Sequence, residues 1–244
     1  MHGQSAGQRT ALISRLKAEA GPLILLAAAC FCALLFYDFA EDLHDGERFA
    51  FDQAILLALR GGSVQGTPIG PDWLPQAAIE ITALGSTSVL GLLTAIATGF
   101  LLITRKWRAA LMLLIAVIGG ALITTGIKDL FARPRPDLVL HLVKVTNPSF
   151  PSGHAALSAA TYLTIGAMLT RVSARRRVKT YLMACAVALS LLVGATRIYL
   201  GVHWPSDVIA GWCLGASWAL FCWLVAYWLG RTGKIEKPET DEAS

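Results

Sequence analysis

Charged residues are scarce in this chain of 244 residues. They make up 15% of the sequence, and hydrophobic residues make up 55%. A soluble globular domain normally carries about 25% charged residues. The deficit argues against an ordinary soluble domain and points to a protein that is surrounded by lipid.

The cysteines form no pattern that is typical of a metal site. The sequence contains no Cys-x-x-Cys pair and no Cys/His spacing of the kind that binds zinc. All five cysteines lie inside apolar segments, and we therefore expect buried free thiols: Cys30, Cys32, Cys185, Cys213 and Cys222.

No basic patch suggests a nucleic-acid partner. The formal net charge is +5, but the basic residues are scattered between apolar runs. This distribution is better explained by the positive charge that membrane proteins carry in their cytoplasmic loops. Because no internal repeat, low-complexity tract or second domain is visible, we expect a single membrane domain over residues 1–244.

Six long apolar runs are present. A membrane-spanning helix needs about 20 mostly apolar residues. The runs cover roughly residues 22–40, 77–104, 108–127, 153–170, 179–196 and 207–229. The pattern predicts an all-α polytopic membrane protein, a bundle of six transmembrane helices with its core at about 22–229.

The loop charges predict the orientation of this bundle. The N-terminal tail, the second–third connection, the fourth–fifth connection and the C-terminal tail are basic, which places both tails (1–21 and 230–244) in the cytoplasm. The third–fourth connection should lie on the outside, yet it carries Lys128, Arg133, Arg135 and Lys144. An anionic ligand is the simplest reason for positive charge on that side.

The segment 45–76 is too polar to cross the membrane. It predicts a surface helix and loop between the first and second spans, with an apolar stripe lying on the outer membrane surface. The stripe would consist of Phe49, Phe51, Ile55, Leu56 and Leu59. Two interpretations stay open for this helix: it is docked on the surface and plays no part in catalysis, or it is a lid or a guide for lipid entry.

Three cations are candidates for binding a phosphate group. Lys128 follows the third apolar run, Arg197 ends the fifth, and Arg135 lies in the connection after the third. Together they would offset the roughly two negative charges of a phosphate monoester. Arginine suits this task because its planar group donates two parallel hydrogen bonds to phosphate oxygens. Arg133 lies close by in the chain and is expected either to contact a lipid headgroup or to be solvated.

The motif Pro151-Ser152-Gly153-His154 stands where the fourth apolar run begins. Ser152 can cap the helix, and Gly153 lets an oxygen approach the exposed backbone N–H groups, which together favour an anion. An unperturbed imidazole titrates near pH 6.5. We therefore expect His154 to protonate the leaving alcohol oxygen and later to activate water as a base.

His203 and Asp207 are spaced to act as a pair. A carboxylate bonded to one ring nitrogen fixes the tautomer and leaves the other nitrogen free to attack phosphorus. We therefore interpret His203 as the nucleophile, Asp207 as its orienting acid and phosphohistidine as the intermediate. A metal site is the rival use of these groups, but the three nearby cations would repel a dication, and we expect no metal and no cofactor.

These residues resemble the type 2 phosphatidic acid phosphatase family, membrane relatives of bacterial acid phosphatases and vanadium haloperoxidases. That family's pattern is Lys-x6-Arg-Pro, then Pro-Ser-Gly-His, then Ser-Arg-x5-His-x3-Asp. The sequence matches it in order and spacing across residues 128–207, with Thr196 in place of the usual serine.

The resemblance implies a six-helix membrane bundle and metal-independent chemistry through phosphohistidine. It implies an active site that faces the periplasm or cell exterior, in a bacterial-type plasma membrane. It also implies that five residues contact the phosphate: Lys128, Arg135, Ser152, Gly153 and Arg197.

The leading hypothesis is a lipid-phosphate phosphatase. Its substrate would be a membrane lipid such as undecaprenyl pyrophosphate, phosphatidylglycerol phosphate, phosphatidic acid or a lipid A phosphate. The alternatives are a lipid phosphotransferase with the same intermediate, an anion transporter, or a binding protein without activity. Oligomeric state stays open, and the expected partners are the lipid substrate and the bilayer.

Overall fold

The structure is a computed structural model that describes residues 3–46, 49–61, 66–171 and 174–231. Within these ranges the chain forms eight α-helices and no β-strand. The helices are α1 (Gly3–His44), α2 (Ala50–Ala58), α3 (Leu74–Ala83), α4 (Thr87–Ile103), α5 (Trp107–Phe131), α6 (Gly153–Leu169), α7 (Arg176–Tyr199) and α8 (Pro205–Arg231).

Four segments of these helices are long and apolar enough to cross a membrane: Ala20–His44, Trp107–Phe131, Arg176–Tyr199 and Pro205–Gly230. A fifth crossing results if α3 and α4, which are bent by 44° at their junction, form one broken span. The predicted all-α architecture with several membrane helices is therefore confirmed. Among the described helices, four or five of the six expected spans meet these criteria.

The remaining predicted span corresponds to α6, which lies in the middle of the bundle. This helix has 17 residues, fewer than the roughly 20 that a full crossing needs. It packs against α5, α7 and α8, and its buried positions are mostly alanine, serine and threonine. Since its neighbours rather than lipid surround it, α6 needs no continuous run of large apolar side chains.

Close packing between α6 and α8 depends on two glycines of α8. A Cβ atom built on Gly215 would lie 2.2 Å from the carbonyl oxygen of Ala156, and one built on Gly211 would lie 2.7 Å from the carbonyl oxygen of Ser152. Both distances are far below normal contact. The absence of a side chain at these positions thus brings the second and third turns of α8 against the start of α6.

The ends of α5 and α7 are set by local backbone chemistry. Ala132 adopts a left-handed conformation with φ 43°, and its N–H donates to the carbonyl oxygen of Lys128 at 3.1 Å. Two prolines that cannot continue a helix follow closely, at positions 134 and 136. Helix α7 ends before Gly201, where φ is +75°. Lys128 and Arg197 consequently stand in the last turns of their helices.

Helix α2 differs from the predicted apolar stripe. Its buried residues are Asp52 and Leu56, whereas Ile55 is 41% exposed. The helix packs against α8. The face that contacts the protein therefore carries an acid that the apolar stripe did not indicate. The position of the stripe on the membrane surface stays a prediction.

Candidate active site

Four helix ends meet at one end of the bundle and bring the predicted motifs together. The backbone N–H of Ser152, before α6, donates to the carbonyl oxygen of Asp207 in α8 at 2.9 Å. The side chain of Lys128, at the end of α5, lies 3.5 Å from the position that a Cβ of Gly153 would occupy. Residues far apart in sequence thus share one compact region.

The two ring nitrogens of His203 have different neighbours. Nδ1 lies 3.5 Å from Oδ2 of Asp207 and 3.3 Å from Oγ of Ser149. Nε2 lies 3.2 Å from Nη1 of Arg135. Because a guanidinium can only donate, Nε2 is the acceptor and the ring proton belongs on Nδ1, facing the carboxylate. In this tautomer the lone pair of Nε2 points toward the guanidinium of Arg135.

Burial keeps the His203 ring neutral. The residue is 2% exposed, and this burial lowers the pKa of His203 to about 3, although the hydrogen bond and the charge of Asp207 act in the opposite direction. At neutral pH the free site therefore presents an uncharged imidazole. An uncharged imidazole is the form that can act as a nucleophile.

Asp207 is fully buried and accepts hydrogen bonds from three directions besides His203. The hydroxyl of Ser149 and the guanidinium of Arg133 both donate to it, and the backbone N–H of Trp204 donates to Oδ2 at 3.0 Å. These hydrogen bonds hold the carboxylate of Asp207 in one orientation. They thereby also fix how the carboxylate faces the His203 ring.

Arg135 is held in place by groups that the sequence did not single out. Its Nε donates to the carbonyl oxygen of Asn147 at 2.9 Å, and its Nη2 donates to Oδ1 of the same residue at 2.6 Å. Its Nη1 also donates to the carbonyl oxygen of Val202. Burial lowers the pKa of Arg135 and the charge of Asp207 partly offsets this, so the side chain stays a cation at neutral pH.

Lys128 and Arg197 are buried cations with few protein partners. Nζ of Lys128 donates to the carbonyl oxygen of Pro148 at 2.7 Å, and Nη1 of Arg197 bonds to Oγ1 of Thr82 at 3.3 Å. Nε of Arg197 is buried without a hydrogen-bond partner. A buried donor of this kind is costly unless an acceptor enters the site.

Ser152 occupies the N-cap position of α6, but its hydroxyl makes no capping hydrogen bond. The expected side-chain cap is therefore wrong. Oγ of Ser152 is buried and, like Nε of Arg197, has no partner among the described residues. Both atoms are free to bond to an oxygen of a ligand.

His154 follows directly in the first turn of α6. The positive charges of Arg197, Arg135 and Lys128 all act on its ring. The backbone of Gly85 lies beside that ring, since a Cβ built there would come within 3.3 Å of its Cδ2. The tight junction between α3 and α4 thus forms one wall next to this histidine.

Arg133, predicted to contact a headgroup or solvent, is occupied by the protein. Its guanidinium donates to Asp207, to Oδ2 of Asp52 at 3.0 Å and to Oγ of Ser206 at 2.9 Å. It also lies over the Trp204 ring, 5.5 Å from the centroid. A headgroup contact stays a prediction that these contacts do not favour.

Sequence reasoning missed four residues that contact the predicted ones: Asp52, Thr82, Asn147 and Ser149. Asn147 and Ser149 stand just before the Pro-Ser-Gly-His motif, and this position was the only signal for them. Asp52 was visible as an acid within a helix whose other central residues are mostly apolar. Nothing in the sequence near Thr82 indicates its contact with Arg197.

The arrangement is suited to transfer of a phosphoryl group. It combines a neutral imidazole with an oriented lone pair, three cations and two unpaired buried donors. In the described part of the chain, no three His, Cys, Asp or Glu side chains are grouped as ligands for a metal ion.

Comparison with known proteins gives concordant matches. The model of the PAP2 superfamily matches residues 109–231. Phosphatidylglycerophosphatase B of Bacillus subtilis is 33% identical over 187 residues, covering 75% of this chain and 86% of that protein. Undecaprenyl-diphosphatase of Sulfolobus acidocaldarius is 32% identical over 148 residues, covering 58% of this chain and 66% of that protein.

One solved structure extends the similarity to the fold. It is the crystal structure of a transmembrane PAP2 type phosphatidylglycerolphosphate phosphatase from Bacillus subtilis. The superposition has a TM-score of 0.72 at 28% identity, and it covers 86% of this chain and 98% of the other.

Proposed function

The chain belongs to the PAP2 superfamily, and from this premise we propose that its buried histidine site hydrolyses the phosphate ester or diphosphate of a membrane lipid. It is a phosphatase of the membrane, and the residues of the site suggest how the reaction proceeds. The proposed catalytic residues are His203, His154 and Asp207. The proposed phosphate-binding residues are Lys128, Arg135, Ser152, Gly153 and Arg197.

The first half of the proposed reaction transfers the phosphoryl group to His203. The lone pair on Nε2 forms a bond to phosphorus while the bond from phosphorus to the lipid oxygen breaks. Asp207 holds the proton on Nδ1 and stabilises the charge that develops on the ring. The departing lipid oxygen takes a proton from His154, whose protonated form is favoured by the negative charge of the bound phosphate.

The second half releases inorganic phosphate. Neutral His154 removes a proton from a water molecule as the water oxygen bonds to phosphorus. The bond between phosphorus and Nε2 breaks, which returns His203 to its neutral form. Lys128, Arg135 and Arg197 offset the charge of the transferred group in both halves.

The observation that carries this proposal is the asymmetry of the His203 ring. Nδ1 faces Asp207 at 3.5 Å, and Nε2 faces a guanidinium at 3.2 Å. An arginine placed against the attacking nitrogen can bind the incoming phosphate beside it.

The expected substrates are lipids with a terminal phosphate or diphosphate. The relatives are a phosphatidylglycerophosphatase and an undecaprenyl-diphosphatase, so the chain is proposed to take one of these substrates or a related one such as phosphatidic acid or a lipid A phosphate. Helix ends at the level of the lipid headgroups suit each of them. Comparing lipid monophosphates with lipid diphosphates in one assay identifies the preferred class.

We further propose six membrane crossings within one domain over residues 1–244. Helix α6 would supply the sixth crossing as a short helix shielded by its neighbours. Both tails would lie in the cytoplasm of a bacterial-type inner membrane, with the site facing the periplasm or exterior. The basic connection around Lys106, at the opposite end of α5 from Lys128, supports this orientation.

The decisive test measures phosphate release by the detergent-purified protein in the presence of a chelator. We expect His203→Ala to lower kcat by about a thousandfold or more, since the nucleophile is lost. Brief reaction of the wild type with a ³²P-labelled lipid should leave an acid-labile protein label. His44→Ala, at an exposed histidine at the end of α1, is the matched control and should keep full activity.

Full activity in His203→Ala would refute the assigned mechanism. Adding a second lipid with a free hydroxyl distinguishes hydrolysis from transfer. Labelled phosphate in solution indicates a phosphatase, and label on the second lipid indicates a phosphotransferase.

A further inference from the structure

Asp52 of α2 is a buried acid that no step of the proposed reaction uses. It is 2% exposed and lies on the same face of the chain as Leu56 and Arg60, which follow at intervals of four residues and are equally buried. A short surface helix normally buries apolar side chains. A buried acid on its inner face, and a buried arginine just after its end, need specific partners within the bundle.

The partner of Asp52 is the beginning of α8. Its Oδ1 accepts a hydrogen bond from the backbone N–H of Ser206 at 2.7 Å, and its Oδ2 accepts one from the hydroxyl of Ser206 at 2.6 Å. The first N–H groups of a helix have no partner within the helix, and a negative charge near them is favourable. Asp52 therefore caps α8 from another helix, one residue before Asp207.

Arg133 joins Asp52 to the proposed catalytic acid. Its Nη2 donates to Oδ2 of Asp52 at 3.0 Å, and its Nη1 donates to Asp207. The guanidinium is thus placed between two carboxylates and bonded to both. The second carboxylate is the one that faces Nδ1 of His203 at 3.5 Å.

We propose that Asp52 is a positioning residue for the reaction at His203, acting through Arg133 and the start of α8 on the orientation of Asp207. This inference rests on the proposed function. Without the charge of Asp52, Arg133 keeps a single carboxylate partner and the N–H of Ser206 keeps only a weak acceptor. Asp207 then turns toward Arg133, and the lone pair of His203 loses its fixed direction.

The contacts of Asp52 with Ser206 and Arg133 give α2 a role in the reaction. Helix α2 would be neither a passive surface helix nor only a lid, because it supplies a charge that orders the proposed catalytic residues. Arg60 supports this placement from the other end, where its Nη2 donates to the carbonyl oxygen of Tyr199 at 3.1 Å, in the last turn of α7. Helix α2 thus bonds to the start of α8, and the turn that follows it bonds to the end of α7.

The test compares Asp52→Asn with the wild type in detergent, using dioctanoyl phosphatidic acid as substrate. Asparagine keeps the size and one oxygen acceptor but removes the charge. We expect kcat to fall about 10- to 100-fold while KM stays within about twofold, because small displacements of reacting groups slow chemistry without weakening binding. Asp52→Glu restores the charge and should recover most of the lost kcat.

Two further variants separate positioning from simple docking of α2. Leu56→Ala removes apolar contact from the same face, and we expect a lower Tm with kcat within about twofold of the wild type. In an Arg133→Gln background, Asp52→Asn should cause little further loss of kcat, since both changes interrupt the same path. If the two residues acted independently, the fold losses in kcat of the two single variants would multiply in the double variant.

The outcomes distinguish the two proposals. A wild type that releases no phosphate from either lipid monophosphates or lipid diphosphates contradicts the proposed function, whereas an active wild type with an equally active Asp52→Asn overturns the positioning role alone. Equal loss in Leu56→Ala, or multiplying losses in the double variant, also overturns it. If Asp52→Asn does not fold, Ser206→Ala decides: a three- to tenfold loss of kcat at unchanged KM supports the role, and unchanged kcat contradicts it.

Discussion

Two arginines separated by a single proline have different partners at the site. The guanidinium of Arg133 lies between Asp52 and Asp207, whereas that of Arg135 bonds to Asn147 and reaches Nε2 of His203. The first is neutralised by carboxylates. The second keeps its positive charge for a ligand, because its partners are carbonyl and amide oxygens and a neutral ring.

The contact between Arg135 and Asn147 leads to the first prediction at this scale. Asn147→Ala removes the amide oxygen that holds Nη2, so the guanidinium gains freedom and must be ordered by the substrate. We expect kcat/KM for a lipid phosphate to fall about 10- to 30-fold, in line with a lost hydrogen bond to a charged group. Thr146→Ala, at the neighbouring exposed residue, should leave kcat/KM unchanged.

Burial of His203 leads to a prediction about pH. Its pKa is about 3 in the folded protein, below the ordinary value of 6.5, so only the unfolded chain takes up a proton at this residue between these values. The stability that the neutral ring provides is therefore complete above pH 6.5 and is lost as the pH falls towards 3. The slope is at most about 1.4 kcal/mol per pH unit.

The measurement is the Tm in detergent of the wild type and of His203→Gln between pH 8 and pH 5. Glutamine does not titrate, so the Tm difference between the two proteins should shrink or reverse below pH 6.5. A difference that stays constant over this range would show that His203 has an ordinary pKa in the folded state.

At the scale of elements, the site depends on how closely α8 approaches α6. Gly211 and Gly215 leave room for the backbone of α6, and the hydrogen bond from the N–H of Ser152 to the carbonyl oxygen of Asp207 spans the two helix starts at 2.9 Å. His154 and His203 belong to these two starts. Their separation is therefore determined by helix packing as well as by their own contacts.

Gly215→Ala tests this packing. Its new methyl group would lie 2.2 Å from the carbonyl oxygen of Ala156, so the helices must separate. Overpacking of this kind typically costs about 1–3 kcal/mol, and we expect a lower Tm together with reduced kcat. Gly99→Ala in α4 is the matched control, since a Cβ there meets no atom within 4 Å, and it should lower neither quantity.

At the scale of the whole molecule, the two ends of the bundle differ in the charged residues that they carry and in the burial of those residues. One end holds the buried cations, histidines and acids of the site. The other end carries exposed basic residues in the connection between α4 and α5 and at the start of α7. Basic loops are retained on the cytoplasmic side, which predicts that the site faces the other side of the membrane.

Cysteine labelling tests this orientation in intact cells. In a background with the five native cysteines replaced by alanine, we expect Leu140→Cys to react with a membrane-impermeant maleimide. Leu140 is 63% exposed and lies in the connection beside the site. Lys106→Cys, at the opposite end, should react only after the membrane is permeabilised, and the reverse pattern would invert the proposed topology.

The helical content and the site motifs could be predicted from sequence because each has a local signal. Apolar runs predicted the helices, and motif spacing predicted that Lys128, His154, Arg197 and His203 lie together. The inner face of α2 could not be predicted, because the partner that stabilises buried Asp52 begins at Ser206, 154 residues later. The hydroxyl of Ser152 could not be assigned either, since its lack of a capping bond depends on the geometry of its helix start.

The sequence alone determined that the chain belongs in a membrane and that its cations and histidines stand at the ends of apolar helices. These properties follow from the composition of the chain and from the order of residues within short segments of it. Only the tertiary structure decided which charges neutralise each other and which stay available to a ligand. Hydrogen bonds and ion pairs act over about 3 Å, and the distances between helix ends exist only after the bundle has packed.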